Sequence, residues 1–137
     1  MELWRLFAHR HWFTLRFFNR EVRVCARCSG YVAGFLVLRV LQRLFGSPIL
    51  DFLGTPYQLL FYLLFSIPLI SDWLTQSWGW RESNNGLRFF TGALLGIGIA
   101  IFSSAHITPQ LKAFLYLTTA SIIFLLGFVG ILLRDET

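Results

Sequence analysis

Four long apolar stretches leave this chain few ways to fold. They run from about Gly30 to Phe45, Tyr57 to Trp73, Leu87 to Ala105 and Leu111 to Leu133. An α-helix needs roughly 20 apolar residues, with a range of about 17–25, to cross the hydrocarbon core of a bilayer. In lipid, every backbone N–H and C=O must be paired inside the protein, and a helix does this within one segment. The stretches therefore predict an all-α integral membrane bundle of four transmembrane helices. Composition agrees: 14% of the residues are charged, against about 25% in soluble domains. A length of 137 residues suits one membrane domain spanning 1–137. Within it, 1–28 reads as a basic interfacial segment carrying a CxxC pair, and 29–137 as the bundle.

The connections are marked by helix breakers. Gly46, Ser47, Pro48, Gly54 and Pro56 separate the first two spans, and Ser103, Ser104, Thr108 and Pro109 separate the last two, with His106 a loop residue there. Gly30 and Gly34, and likewise Gly92 and Gly96 followed by Gly98, have the small-xxx-small spacing that lets helix backbones approach in lipid. Arg39 and Arg43 share a helical stripe. Arg43 can snorkel outward, while Arg39 is deeper and calls for a partner such as Asp51 or a bound anion.

Net charge is +5, and six arginines (Arg5, Arg10, Arg16, Arg20, Arg23 and Arg27) fall in the first 27 residues. The segment lacks the apolar core and cleavage site of a signal peptide. It predicts a basic, amphipathic interfacial helix, with Trp4, Phe7, Trp12, Phe13, Phe17 and Phe18 dipping into lipid and arginines reaching phosphates. The bilayer and its anionic lipids are the expected partners, and nothing else in the chain supports nucleic acid. Four spans put both termini on one side. Arg81, Arg88 and Arg134 join the six N-terminal arginines there, against Arg43 and Lys112 opposite. The excess of positive charge makes that side cytoplasmic, in a multi-pass protein of a prokaryotic cytoplasmic membrane.

Between the second and third spans lies a polar cassette, residues 71–88, with Asp72, Gln76, Arg81, Glu82, Asn84, Asn85 and Arg88. Such groups survive near a bilayer only at an interface, in a bundle interior or in a wet cavity, so they mark a candidate ligand site. Pro68 should kink the helix before it. Asp72 and Gln76 lie one turn apart, with Thr75 beside them. Gly79 should end the helix. Asn84 or Asn85 can cap the next helix, and Arg88 falls in that helix's first turn. Two arginines beside a helix start suit an anion. A purely structural corner, locked by Asp72–Arg88 or Glu82–Arg81 pairs, explains the same residues. Trp73, Trp78 and Trp80 read as an interfacial belt.

Cys25 and Cys28 are the only cysteines, in Cys-Ala-Arg-Cys-Ser-Gly. One CxxC has several meanings. With His9, and with His11 to complete a set of four, it could hold a zinc-like divalent ion. With Arg23 and Arg27 lowering the thiol pKa at a helix start, it could be a redox pair. Two inert packed thiols are the third reading.

Cys25-Ala26-Arg27-Cys28-Ser29-Gly30, together with Asp72, Thr75-Gln76, Gly79, Arg81-Glu82-Ser83-Asn84-Asn85, Leu87-Arg88 and Thr91-Gly92, resembles a family of small polytopic prokaryotic membrane proteins, the domain of unknown function 2085. The resemblance covers about residues 7–100. It implies a multi-helix membrane protein and supplies no reaction. The family pattern often has Cys-His ahead of the cysteine pair. Here Ala8-His9 stands there, so a third thiol is missing.

Three functions fit. One is a cytoplasmic-face site for an anionic lipid headgroup, with a metal ion or thiol element at His9, Cys25 and Cys28. Another is thiol–disulfide exchange or electron transfer by Cys25 and Cys28. The third is an accessory subunit of a larger membrane complex, and a membrane protein partner or a homo-oligomer is a candidate association. No catalytic triad spacing and no phosphate-binding loop occurs.

Overall fold

The computed structural model describes residues 12–17, 20–46 and 52–135. Among them are four α-helices: α1 (Ala26–Phe45), α2 (Thr55–Ser77), α3 (Asn85–Ser103) and α4 (Pro109–Asp135). All four are long and apolar enough to cross a membrane. Their outer faces carry exposed Leu44, Phe45, Phe114, Leu117 and Leu133, as helices bounded by lipid must. Pro68 lies inside α2, which continues through it to Ser77.

The interfacial helix expected over the first 20 residues is not what their described part forms. Trp12–Phe17 (β1) and Arg20–Cys25 (β2) pair as an antiparallel hairpin, with Trp12 opposite Cys25 and Phe17 opposite Arg20. The reason lies in the period. Glu21-Val22-Arg23-Val24 alternates polar and β-branched residues, which suits a strand and lowers helix propensity. Arg16 and Glu21 pair at 3.1 Å, fully in the open, where such a pair adds little. Trp4, Phe7, His9 and His11 lie outside the described residues. β2 passes straight into α1, which starts at Ala26, a little before the bundle was expected to begin.

The most extensive packing joins α1 to α3, and glycine makes it. A Cβ on Gly30 would overlap the carbonyl of Phe89, and one on Gly34 the carbonyl of Ala93. In return, Gly92 lies on the carbonyl of Arg27 and Gly96 on that of Tyr31. The two small-xxx-small pairs thus face each other, and the contacts advance in step, so α1 and α3 run parallel. Gly98 turns toward Tyr62 and Phe65 of α2. α2 packs next most extensively on α3, antiparallel to it.

α4 rests on α2. Gly127 sits under the Trp73 ring and Gly130 under the Trp78 ring, and Trp78 Nε1 donates to the Leu126 carbonyl at 3.3 Å. Two of the three tryptophans read as a belt therefore seat a helix, while Trp80 is exposed. Toward the other end, Tyr62 stacks on Phe102 at 5.3 Å and Tyr116 meets both rings edge-on at 5.4 Å. There Arg39 finds neutral partners. It donates to Ser103 Oγ at 2.7 Å and Gln42 Oε1 at 3.3 Å, and lies over the Phe35 ring. Asp51, its expected partner, is outside the described residues. Lys112 Nζ donates to the Ser103 carbonyl at 2.8 Å.

Candidate functional site

The first turn of α1, the last turns of α2 and the first turn of α3 meet at one end of the bundle. The local sequence fixes two of these boundaries. α2 stops at Gly79, whose φ of 74° a residue with a side chain rarely adopts. Its N–H donates to the Gln76 carbonyl at 3.0 Å, and Trp80 N–H to the Thr75 carbonyl at 2.9 Å, which closes a Schellman motif. α3 starts at Asn84, whose Oδ1 accepts from Leu87 N–H at 2.7 Å. The choice left open between Asn84 and Asn85 thus falls to Asn84.

Asp72 is the centre. It is 2% exposed, and each carboxylate oxygen accepts from a different arginine. Oδ2 accepts from Arg27 Nη2 at 2.7 Å and Oδ1 from Arg81 Nη2 at 3.1 Å. A buried carboxylate in an apolar bundle is tolerable only when paired in this way. Below it, Gln76 Nε2 donates to the Asp72 carbonyl at 2.7 Å, and Gln76 Oε1 accepts from Arg88 Nη2. Thr75 Oγ1 turns back to the Ser71 and Asp72 carbonyls. Arg27 thus ties α1 to α2, and Gln76–Arg88 ties α2 to α3.

Of the cassette, the structure brings together Asp72, Gln76, Arg81 and Arg88. Asn84 is committed to its cap, and Asn85 keeps a buried Oδ1 that has no hydrogen-bond partner among the described residues. Glu82 is exposed. The expected Asp72–Arg88 and Glu82–Arg81 pairs give way to Asp72–Arg27 and Asp72–Arg81, because the first turn of α1 brings a nearer guanidinium. The sequence reads Arg27 as one of the N-terminal basic residues and as a neighbour of the thiols, not as a partner of Asp72. Its role at Asp72 was hidden by a separation of 45 residues. The available signal was topological: four spans place the first turn of α1 and the cassette at the same end.

Two guanidinium groups, those of Arg27 and Arg81, hold one buried carboxylate, and a third, that of Arg88, is held beside them by Gln76. Their hydrogen-bonding capacity is not used up: Arg27 Nε and Arg88 Nε are buried without a partner among the described residues. The arrangement leaves an excess of positive charge and of donors, which suits an anion.

Cys25 stands at the N-cap of α1 and Cys28 within its first turn, with no disulfide between them. Partial burial pushes the Cys25 thiol up. Hydrogen bonds from the N–H groups of Cys28 and Arg27 and from the Cys28 thiol, with the Arg27 charge, outweigh it, and the group titrates below its usual range. Among the described residues no three His, Cys, Asp or Glu side chains gather to hold a metal ion. His9, the third expected ligand, is outside them.

A family model described as a predicted membrane protein, DUF2085, matches residues 9–102, from ahead of the hairpin to the end of α3. An uncharacterised protein of Methanothermobacter thermautotrophicus is 38% identical over 90 residues, covering 66% of this chain and 77% of the relative. An uncharacterised protein of Methanocaldococcus jannaschii is 36% identical over 86 residues, covering 62% of this chain and about half, 53%, of the relative. No solved structure matches.

Proposed function

The chain belongs to the DUF2085 family of predicted membrane proteins, and from that premise we propose that it holds an anionic lipid headgroup at the arginine cluster of α1, α2 and α3. The observation that carries this reading is the imbalance at Asp72. Two arginines pair with one buried carboxylate, a third is held beside them by Gln76, and the Nε donors of Arg27 and Arg88 are buried and unpartnered among the described residues. Arg81 and Arg88 would contact the phosphate, Asn85 would orient it, and Asp72 would hold Arg27 and Arg81 in place. The cluster lies at the bundle end where α1 begins and α4 ends, and an excess of arginine there would favour the cytoplasmic side, whose leaflet is rich in anionic lipid.

A charge-assisted hydrogen bond contributes about 1.5–3 kcal/mol, so losing one should weaken binding roughly tenfold or more. Arg88→Ala should therefore lower the phosphatidylglycerol retained by the purified protein by about that factor, read by native mass spectrometry, with the helix content unchanged. Equal retention by the variant would sink the reading.

The position of Cys25 favours a second reading, thiol chemistry at the CxxC pair, with Arg27 as its activator. Because the thiol titrates below its ordinary value, more of it is thiolate at a given pH than in an ordinary cysteine, and that share shrinks as pH falls. Iodoacetamide should then label Cys25 several-fold faster than an ordinary peptide thiol at neutral pH. Labelling at the ordinary rate rejects the idea.

A further inference from the structure

A cavity of about 390 Å³ lies between all four helices, on the membrane side of the arginine cluster. It falls in the size range of small-molecule sites. Tyr31 lines it from α1, Tyr62 and Leu69 from α2, Leu95 from α3, and Tyr116 and Thr119 from α4. Three helices carry the cavity and the cluster on the same face. Tyr31 follows Arg27 by one turn, Leu69 precedes Asp72 by one turn, and Leu95 follows Arg88 by two. The charged cluster thus lies one to two turns beyond the apolar shaft of the cavity along the same helix faces.

The shaft runs along α2 from Tyr62 to Ile70, about 12 Å at 1.5 Å per residue. Its wall is overwhelmingly apolar, and its far end is the ring cluster of Tyr62, Phe102 and Tyr116. Tyr116 Oη is buried there with no hydrogen-bond partner among the described residues. A buried hydroxyl without a partner is uncommon in a finished core. The cavity is partly open to the outside, so a ligand chain can enter it from the side.

We propose that the arginine cluster and the cavity form one site, for an amphiphile with a phosphate-type headgroup and a single apolar chain. The proposal rests on the anion reading above and deepens it. The phosphate meets Arg81 and Arg88, and the chain descends past Tyr31 and Leu95 toward Tyr116. Two bulky chains would not share a space of this size, whereas one chain of about the shaft's length fills it.

The full-length protein in phosphatidylcholine nanodiscs separates the two halves. Dodecyl phosphate, dodecanol and inorganic phosphate are titrated against the wild type, Arg88→Ala, and two variants that narrow the shaft away from the arginines, Ala120→Phe and Leu95→Phe. Tryptophan fluorescence reports binding, and circular dichroism shows which narrowed variant is folded. The wild type should bind dodecyl phosphate at least tenfold tighter than either fragment. The narrowed variants should lose at least tenfold for dodecyl phosphate and nothing for inorganic phosphate, while Arg88→Ala should lose both. Equal affinity of the wild type for dodecyl phosphate and inorganic phosphate, or a folded narrowed variant that binds dodecyl phosphate normally, overturns the combined site and leaves the headgroup reading standing. Failure of the wild type to bind any anion overturns both.

Discussion

At the scale of single residues, Asp72 bears the greatest consequence. Its carboxylate is buried and answers two guanidinium groups from different elements. Removing one member of a buried pair typically costs about 3–5 kcal/mol, because the remaining charge stays buried. An exposed pair contributes about 0–1 kcal/mol. Arg27 is 21% exposed and Arg81 52% exposed, so the two arms of the bridge should differ. Asp72→Ala is expected to lower stability by about 3–5 kcal/mol and Arg81→Ala by about 1 kcal/mol or less, measured by denaturant titration in mild detergent. Similar losses for both would mean that Arg81 is far more enclosed in the bilayer. Asp72, Gln76, Arg81 and Arg88 were legible in the sequence because charge between two apolar spans has to be accounted for. Arg27 was not, because among many nearby arginines nothing local singles it out. Only the fold brings it to Asp72.

Among the elements, the α1–α3 seam sets the geometry that the site depends on. Gly30, Gly34, Gly92 and Gly96 each lie against a backbone carbonyl that cannot turn aside as a flexible side chain can. Added volume in a packed core generally costs about 1–3 kcal/mol, and a backbone obstacle places these sites at the upper end. Gly30→Leu or Gly92→Leu should lower the unfolding temperature sharply and abolish the Arg27–Asp72 contact. Gly86→Ala, where the new carbon would make only an ordinary contact with Asn84, should leave stability within about 1 kcal/mol. Matched thermal melts of the three variants check this, and equal behaviour would count against the seam. The glycine spacing announced this packing, since in lipid small residues are what allow close approach. The hairpin was not announced. Aromatic and basic residues interleaved through the first 25 positions satisfy both a helical and a strand period, and only the short alternation from Glu21 to Val24 favours the strand.

For the whole molecule, an even number of spans is what puts the hairpin, the arginine cluster and the last turn of α4 at one end. The four spans and their approximate limits followed from hydropathy alone, because backbone pairing in lipid leaves helices as the solution. How α4 sits did not, since its glycines meet tryptophans from α2 at positions that no spacing rule reveals. If the arginine-rich end faces the cytoplasm, a fluorescent protein fused after Thr137 should fluoresce in cells and an alkaline phosphatase fused there should be inactive. The reverse pair of results would invert the protein and remove the anionic leaflet from its site.

The parallel course of α1 and α3 has an electrical consequence. Each helix carries the equivalent of about half a positive charge at its N-terminus. The glycine seam holds those two termini side by side beneath the arginines. Part of that end's polarity is therefore written into the backbone and survives replacement of the arginines. On the anion reading proposed above, a chain stripped of Arg81 and Arg88 would keep a residual attraction for negative charge at these helix starts, and a change that parts the seam would weaken it.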